Sequence, residues 1–542
     1  MHQRWRQYFF NEDQSMKIED LIDKGYFLRE LPPPFNSLTL GNNYAKIKTA
    51  WDKFDNSIKN EFNETRFAVL SIPKVGLVRR QLGIPNPIHF IQLSEIICSN
   101  WKAIEKIFAQ SKLTASHPIV NTKQGRALVT KLNYREFKHR CIIDSFDKLY
   151  ELKTDISKYY PSIYTHTIPW AIHTKKKAKA SRKDLTLLGN QLDRFIQKGQ
   201  SGQTIGVPIG PDTSLVISEI LGCAFDAALV AKFPFIKGYR YVDDYRLYFS
   251  TQAEAEQVFR HLQGILTDYT LILNEEKTQL KKFPFEFESE WAMALNEFKF
   301  SDKLKAKAND LFDYVSLSFK FANLYPKDTV LKYAIKKLMG IPIEKENWEL
   351  FESLIYKISL IEPSVLPDTA RILATYEKWV SKRKLAKVIK EILKTSLTKG
   401  HSFEVSWALW IAKTFGLKLK NDLAKPIFDS NDYFSILIAL DMKATKLVSA
   451  STTHLVKDLE IDSFKDEKWL FAYEAIIKKW LKPKDSNILS KTKYFMTLKK
   501  FGVSFYDNSR QVELIKLGKE KKIPVKKSTA TNNGYASLAG YE

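Results

Sequence analysis

Two adjacent aspartates inside an aromatic and β-branched run constrain the fold of this chain more than any other feature. Residues 238–249 read Gly-Tyr-Arg-Tyr-Val-Asp-Asp-Tyr-Arg-Leu-Tyr-Phe. Aromatic and β-branched residues favour strands and aspartate does not, so the pattern predicts a β-hairpin with Asp243 and Asp244 at its tip. Neighbouring carboxylates repel each other unless a cation or solvent offsets their charge. Taken alone, the pair also fits an ordinary Asp-rich turn.

A second strand-like segment supplies a further carboxylate. Residues 151–160 read Glu-Leu-Lys-Thr-Asp-Ile-Ser-Lys-Tyr-Tyr, which predicts a short strand ending at Asp155. Asp155 and Asp243 could meet on adjacent strands although they are far apart in sequence. Mg²⁺ usually binds one or two carboxylates together with substrate phosphates. Two such ions, about 3.5–4 Å apart, can activate a hydroxyl and stabilise a leaving group.

These segments resemble the metal-binding boxes of reverse transcriptases. Tyr-Val-Asp-Asp at 241–244 resembles the Y-x-D-D box, and Asp155 with the residues after it resembles the first metal-binding box. The resemblance implies a DNA polymerase that uses dNTPs and two Mg²⁺ ions per active site. It implies that Asp155 and Asp243 are metal ligands, with Asp244 and the Ile156 carbonyl as further ligands. Tyr160 then occupies the sugar-gate position, where its ring would exclude a ribose 2′-hydroxyl; a packed core aromatic is the alternative.

Two other segments carry cations that the resemblance places at the substrate. Residues 72–85 resemble the strand pair of the fingers, with Lys74 and Arg80 as predicted contacts to the triphosphate. A solvated strand edge is the alternative for these two residues. Residues 274–278 resemble the box whose lysine lies near the leaving pyrophosphate, so Lys277 is a candidate general acid.

Residues 206–211, Gly-Val-Pro-Ile-Gly-Pro, occupy the place of the P-Q-G box behind the templating base pair. Gly206, Pro208 and Gly210 are therefore predicted to contact substrate, because glycine allows a close approach of the backbone. Ile209 stands where the family has glutamine. This departure argues against ordinary, faithful copying of a template.

Three motifs are similar to those of the bacterial abortive-infection (Abi), AbiK-like, and other defence-associated reverse transcriptases. They are Tyr-Thr-His-Thr-Ile-Pro-Trp at 164–170, the residues 239–244, and Phe-Pro-Phe at 283–285. The resemblance covers residues 66 to 290 and implies an antiphage polymerase that forms homo-oligomers. Members of this group can synthesise DNA without a conventional template and can prime it from a tyrosine of the protein. Tyr44, Tyr535 and Tyr541 are the candidate priming tyrosines.

The predicted fold class is α+β. We expect an N-terminal helical lead-in at 1–60, a reverse-transcriptase fingers and palm domain at 61–300, an all-α domain at 301–510, and a flexible basic and polar tail at 511–542. The helical prediction rests on apolar stripes at i, i+3, i+4, i+7 spacing, as at residues 385–393 and 473–481. Stacked helical repeats remain open, since no fixed sequence period is present.

The charge balance predicts a polyanionic partner. Among 542 residues, Lys and Arg number 85 against 61 Asp and Glu, a formal charge of +24. Such an excess favours a DNA product or an RNA template, although it also fits a merely basic soluble protein. The three cysteines are far apart in sequence, which predicts a reducing compartment. With no signal peptide or membrane span recognised, the cytoplasm is the expected location and no membrane partner is expected.

Two other functions remain open from the sequence. One is an RNA-templated reverse transcriptase that copies a dedicated non-coding RNA. The other is a catalytically idle nucleic-acid-binding scaffold on the same fold. The clustered carboxylates speak against the scaffold, because they would repel the phosphates that such a module binds.

Overall fold

The computed structural model of the chain describes residues 15–74, 78–123 and 125–517. Tyr535 and Tyr541, and most of the predicted tail, lie outside these residues. The strands are β1 Ala68–Pro73, β2 Arg79–Ile84, β3 Pro118–Val120, β4 Leu128–Thr130, β5 Tyr150–Asp155, β6 Lys237–Tyr241, β7 Asp244–Phe249 and β8 Gln279–Lys282.

Most of the remaining regular elements in the described part of the chain are α-helices. Up to residue 268 they are α1 Ile18–Lys24, α2 Leu38–Asp52, α3 Asn56–Glu61, α4 Pro87–Ser99, α5 Trp101–Gln110, α6 Tyr134–Asp144, α7 Tyr159–Ser162, α8 Thr167–His173, α9 Lys175–Ala180, α10 Leu188–Lys198, α11 Asp212–Lys232 and α12 Gln252–Asp268. The later helices are α13 Glu290–Glu297, α14 Leu304–Leu324, α15 Val330–Leu338, α16 Lys345–Ile361, α17 Leu366–Thr375, α18 Lys382–Leu397, α19 Ser402–Thr414, α20 Asn421–Phe428, α21 Tyr433–Ala444, α22 Trp469–Ile477, α23 Ile488–Lys491 and α24 Lys493–Lys500. Short 3₁₀ turns occupy Glu275–Lys277, Pro363–Val365, Glu377–Trp379, Thr453–Asp458 and Asp462–Phe464.

A four-stranded antiparallel sheet in the order β6-β7-β5-β8 forms the palm. Its register places Asp155, the last residue of β5, opposite Asp244, the first residue of β7. Helices α11 and α12 pack together beneath the sheet, and α12 contacts β5 and β7. Alternation along β5 and β7 directs Leu152 and Leu247 into the core, where they are almost fully buried.

Helix α11 is the central helix of the palm. Its sequence is almost continuously apolar, and most of its residues are buried, as expected for a helix enclosed on all sides. Among the described residues it is long and apolar enough to cross a membrane by length and composition. However, 67% of its most apolar window is buried inside the protein.

Two hydrophobic cores organise the chain, and they do not follow sequence order. The palm core draws mainly on residues 97–271. The other core combines residues 22–91 with residues 291–506, so the N-terminal helices and the fingers strands pack together with the C-terminal helices. Burial of apolar surface therefore joins the predicted lead-in to the predicted C-terminal region. The predicted domain borders remain predictions.

The fingers hairpin lies directly against the C-terminal helices. Strands β1 and β2 pair in antiparallel register from Ala68–Ile84 to Pro73–Arg79, and β1 packs on α19. Arg79 donates to both carboxylate oxygens of Glu404 on α19, at 2.7 Å each. Ser402, the first residue of α19, accepts from the Ser71 backbone N–H at 3.0 Å.

The regular elements described between residues 290 and 517 are all helical. The described beginning of the predicted tail contacts one of these helices, α17. The Ile515 N–H donates to Thr375 Oγ1 at 2.9 Å, and the Glu513 carbonyl accepts from Arg371 at 3.1 Å. The mixed helix and strand content is compatible with the α+β class. Helical repeats remain a prediction.

Candidate active site

The end of β5 and the turn between β6 and β7 bring Asp155 and Asp243 together. The Ile156 N–H donates to the Asp243 carbonyl at 3.1 Å, and the Asp155 carbonyl accepts from the Asn274 N–H at 2.7 Å. Asn274 Nδ2 also lies 3.4 Å from Asp155 Oδ2. Three segments distant in sequence therefore meet at these two aspartates. The hairpin predicted over 238–249 is present, with residues 242–243 at its tip.

The carboxyl groups of Asp155 and Asp243 are neighbours that interact electrostatically. Burial, reinforced by the negative charge of Asp155, raises the pKa of Asp243 well above the usual range. Burial also raises the pKa of Asp244, although Arg246 and Lys153 oppose that shift. Asp244 Oδ1 is buried without a hydrogen-bond partner among the described residues. The three aspartates thus form an acidic site that a cation would stabilise.

A divalent cation fits this pair of carboxylates. Within the described ranges, no group of three or more His, Cys, Asp or Glu side chains could hold a metal ion. Mg²⁺ usually needs only one or two carboxylates, because water and substrate phosphates complete its coordination. The contact between two like charges and the orphaned Asp244 oxygen are both features that Mg²⁺ would relieve. Reverse transcriptase domains in general use this ion.

Positive side chains surround the acidic pair. Lys277 Nζ lies 3.3 Å from Asp155 Oδ2. Partial desolvation, together with the positive charges of Lys277 and Arg80, lowers the pKa of Lys74, while Asp155 and Asp243 oppose the shift. The structure therefore brings Lys74 close to Asp155 and Asp243, with Lys277 and Arg80 also near Lys74. Repelling cations at one place suit a polyanion such as a triphosphate.

Tyr160 lies in the palm core beside the loop at 206–211. Its side chain is 4% exposed, its hydroxyl accepts from Ser218 Oγ at 3.1 Å, and its carbonyl accepts from the Val207 N–H at 2.9 Å. The residue is therefore well packed, as the alternative interpretation required. Its position next to the loop also suits the predicted sugar gate, and that role stays a prediction.

The first half of the loop at 206–211 is fixed by hydrogen bonds. The Gly206 N–H donates to the Ile163 carbonyl at 2.8 Å, and the Pro208 carbonyl accepts from Ser214 Oγ at 2.6 Å. These bonds connect the loop to the segment after Tyr160 and to the start of α11. The substrate contacts predicted for Gly206 and Pro208 stay predictions.

The second half of the loop contacts the fingers and the N-terminal segment. The Ile209 carbonyl accepts from the Gly83 N–H of β2 at 3.0 Å. Gly210 has a φ of +126°, and a Cβ there would lie 2.0 Å from Leu28 Cδ2. The positive φ favours glycine at 210, and a Cβ there would also displace the end of the Leu28 side chain. The substrate contact predicted for Gly210 stays a prediction.

Tyr44, the one candidate priming tyrosine among the described residues, lies on α2. Its hydroxyl donates to Glu95 Oε1 at 2.8 Å. Burial raises the pKa of Tyr44, and the hydrogen bond to Glu95 raises it further. Both effects disfavour the phenolate that would attack a nucleotide.

A buried ionic network next to the hairpin tip was not foreseen from the sequence. Arg240 and its partners Glu219 and Asp226 are all fully buried. Arg240 also donates to the carbonyl of Val242 at 2.8 Å. Val242 has a φ of +57°, a conformation that costs a β-branched residue about 1–3 kcal/mol. The sequence signal for this network was the presence of two acidic residues, Glu219 and Asp226, within the largely apolar sequence of α11.

Comparison with known families supports an enzymatic assignment. Residues 92–301 match the model of the family described as reverse transcriptase (RNA-dependent DNA polymerase). The matched span is less than half of the chain; it includes Asp155, Asp243, Asp244 and Lys277, and it begins after the fingers hairpin. No curated protein matches the chain. The chain thus contains a reverse transcriptase domain, and this domain supports RNA-directed DNA polymerase activity.

Proposed function

We propose that this reverse transcriptase domain adds dNTPs to a growing DNA strand by two-metal phosphoryl transfer, with Asp155 and Asp243 as its principal metal ligands. One observation carries the proposal: the Ile156 N–H donates to the Asp243 carbonyl at 3.1 Å and Asp155 pairs with Asp244, so three aspartates gather at the junction of β5 and the β6–β7 turn. An idle nucleic-acid-binding scaffold would not need this cluster of carboxylates, which costs electrostatic energy and repels phosphate. Asp244 and the Ile156 carbonyl are proposed as further ligands.

Bound Mg²⁺ would activate the attacking 3′-hydroxyl and neutralise charge on the leaving pyrophosphate. The side chains of the protein have the remaining tasks. Lys74 and Arg80 bind and orient the triphosphate oxygens by charge-assisted hydrogen bonds. Lys277, whose ammonium lies 3.3 Å from Asp155 Oδ2, is the proposed donor of a proton to the leaving pyrophosphate. Tyr160 excludes a nucleotide that carries a 2′-hydroxyl.

Template use and priming are proposed from the resemblance to abortive-infection reverse transcriptases. Ile209 in place of glutamine favours synthesis that does not depend on a conventional template. Copying of a dedicated RNA is the second candidate, favoured by the family match and by the net charge of +24. For protein priming, the hydrogen bond from Tyr44 to Glu95 favours Tyr535 or Tyr541 over Tyr44.

An antiphage role in the bacterial cytoplasm, as a homo-oligomer, completes the proposal. It rests on the resemblance of residues 164–170, 239–244 and 283–285 to defence-associated enzymes. The three cysteines are free thiols in the structure, in keeping with a reducing compartment. Bacteria expressing the wild-type protein should show reduced phage plaque formation, and bacteria expressing Asp243→Asn should not. Equal protection by both proteins would remove polymerisation from the defence mechanism.

The direct test is incorporation of labelled dNTPs by purified protein with Mg²⁺. Reactions contain no nucleic acid, a DNA primer alone, or a primed RNA template, and products are resolved before and after protease digestion. Asp243→Asn is the inactive variant. Asp147→Asn, at an exposed aspartate of the palm, is the matched control and should retain full activity.

Each outcome separates the proposals. Product that requires Asp243, forms without nucleic acid and shifts after proteolysis supports untemplated, protein-primed synthesis. Product that requires the RNA template supports the templated alternative. If no condition gives Asp243-dependent product, including Mn²⁺ in place of Mg²⁺, the polymerase proposal is wrong.

A further inference from the structure

Val242, the residue that precedes Asp243, is held through both of its backbone polar groups. The Val242 N–H donates to Ser116 Oγ at 2.7 Å, and the Val242 carbonyl accepts from Arg240 Nη1 at 2.8 Å. Ser116 and Arg240 are both fully buried. Because φ at Val242 is +57°, a conformation unfavourable for a β-branched residue, the turn needs these contacts to keep its shape.

The two groups that hold Val242 belong to a single ionic network. Ser116 Oγ donates to Glu219 Oε1 at 2.7 Å. The Arg240 guanidinium donates to Glu219 at 3.1 Å and to Asp226 at 2.9–3.0 Å. Glu219 and Asp226 lie two turns apart on α11, so the rigid central helix of the palm is the base of the network.

The network contains two carboxylates, Glu219 and Asp226, and only one guanidinium, that of Arg240. Hydroxyl groups that donate hydrogen bonds to the two carboxylates stabilise the excess negative charge. Thr114 Oγ1 donates to Glu219 at 3.0 Å, Ser111 Oγ donates to Asp226 at 2.6 Å, and Tyr245 Oη donates to Asp226 at 3.0 Å. The backbone adds two bonds, because the Arg240 N–H donates to Leu113 and the Arg240 carbonyl accepts from Ala115, at 2.7 and 2.8 Å. A fully satisfied network of this kind holds its members in one arrangement.

The shape of α11 shows that the guanidinium position is specific. A Cβ at Gly222 would lie 2.4 Å from Arg240 Cζ, so any other residue at 222 would displace the guanidinium. The residues on either side of this glycine, Leu221 and Cys223, carry side chains and are buried. Gly222 therefore provides the space in which Arg240 reaches both carboxylates and the Val242 carbonyl.

We infer that Ser116 and Arg240, supported by Glu219 and Asp226, are positioning residues that fix the backbone of Val242 on both sides of its Cα and thereby aim the Asp243 carboxylate at Asp155. The inference rests on the proposed function, since it concerns how the metal-binding pair is assembled. None of these four residues contacts substrate in this proposal; they act through the backbone of Val242. A small displacement of a metal ligand reduces the chemical step more than it reduces substrate binding.

Ser116→Ala tests the inference with the smallest change, and Tyr245→Phe is its matched control. Each variant removes one buried hydroxyl that donates to a carboxylate of the network, but only Ser116 contacts Val242. Three quantities are measured for each: kcat and KM for dNTP, Mn²⁺ affinity of the nucleic-acid-free protein from the electron paramagnetic resonance signal of free Mn²⁺, and the thermal unfolding midpoint. Arg240→Lys is added as a larger perturbation.

We expect Ser116→Ala to lower kcat by about tenfold or more and to weaken Mn²⁺ binding by about fivefold, with the KM for dNTP changed less than about threefold. Tyr245→Phe should stay within about twofold of wild type in kcat and Mn²⁺ affinity. Retained kcat and Mn²⁺ affinity in a folded Ser116→Ala variant would overturn the inference. Equal losses of kcat and Mn²⁺ affinity in Ser116→Ala and Tyr245→Phe, in proportion to the fall in their unfolding midpoints, would show that the network has only a structural role. That result would also overturn the inference. If wild-type protein neither incorporates dNTPs nor binds Mn²⁺, the proposed function fails and the inference fails with it.

Discussion

The ion pair between Arg79 and Glu404 gives the sharpest test of how the fingers hairpin is held. Arg79 Nη1 and Nη2 each lie 2.7 Å from one carboxylate oxygen of Glu404. The same guanidinium donates to the hydroxyl and to the carbonyl of Ser71, each at 2.7 Å. The Glu404 side chain is 2% exposed and that of Arg79 is 18% exposed. The pair therefore links β2 to α19 with almost no access of water.

Arg79→Ala should destabilise the protein by about 3 kcal/mol. Removing one partner of a buried pair costs about 3–5 kcal/mol, because the other charge stays buried and unpaired. The lower limit applies here, since Arg79 is partly exposed and His401 lies 3.5 Å from Glu404. Arg66→Ala is the matched control: its partner is Glu467 at 3.6 Å, and both side chains are largely exposed. That pair should contribute less than about 1 kcal/mol.

Urea unfolding followed by tryptophan fluorescence measures the effect, because Trp407 and Trp410 lie on α19 beside the ion pair. The same variants are assayed for the KM of dNTP, which should rise in Arg79→Ala because Lys74 and Arg80 lie on the hairpin or at its end. The double variant Arg79→Met with Glu404→Leu should recover most of the lost stability. If Arg79→Ala and Arg66→Ala lower the free energy of unfolding by the same amount, the ion pair between Arg79 and Glu404 does not hold the hairpin.

Three further predictions concern the metal, the sugar gate and pH. Mg²⁺ should raise the thermal unfolding midpoint of wild-type protein but not that of Asp243→Asn. Without metal, Asp243→Asn should be the more stable of the two proteins, because the contact between like charges is gone. An equal rise of the midpoint in both proteins would place the Mg²⁺ site elsewhere. Tyr160→Ala should raise rNTP incorporation relative to dNTP by about tenfold, whereas Tyr160→Phe keeps the ring and should keep the discrimination; unchanged selectivity in both would make Tyr160 a core residue only. Burial raises the pKa of Glu474 to about 7, although the Phe505 N–H and the Ser504 hydroxyl donate to it. The folded state therefore holds a proton that the unfolded state releases near pH 4.5, so stability should fall between about pH 4.5 and 7 by about 3 kcal/mol, and Glu474→Gln should flatten the pH profile of the unfolding midpoint.

The sequence by itself predicted the local elements that carry the chemistry. The aromatic run with Asp243 and Asp244 predicted the hairpin, and the segment ending at Asp155 predicted the strand beside it. The family match confirmed the enzyme class that these boxes indicated. These features were accessible because period-two alternation and the rarity of aspartate in strands are encoded within a dozen residues.

The tertiary structure alone decided which distant segments support those elements. The sequence predicted an N-terminal helical lead-in at 1–60, and only the tertiary structure shows that the described part of that segment shares a hydrophobic core with residues 291–506. The substrate contact predicted for Gly210 stays a prediction, and the tertiary structure adds Leu28 as a neighbour of this glycine. No local pattern singled out Arg240, which is fully buried between Glu219 and Asp226. A buried charge is stable only with its partners, and those partners come from parts of the chain that no local pattern connects.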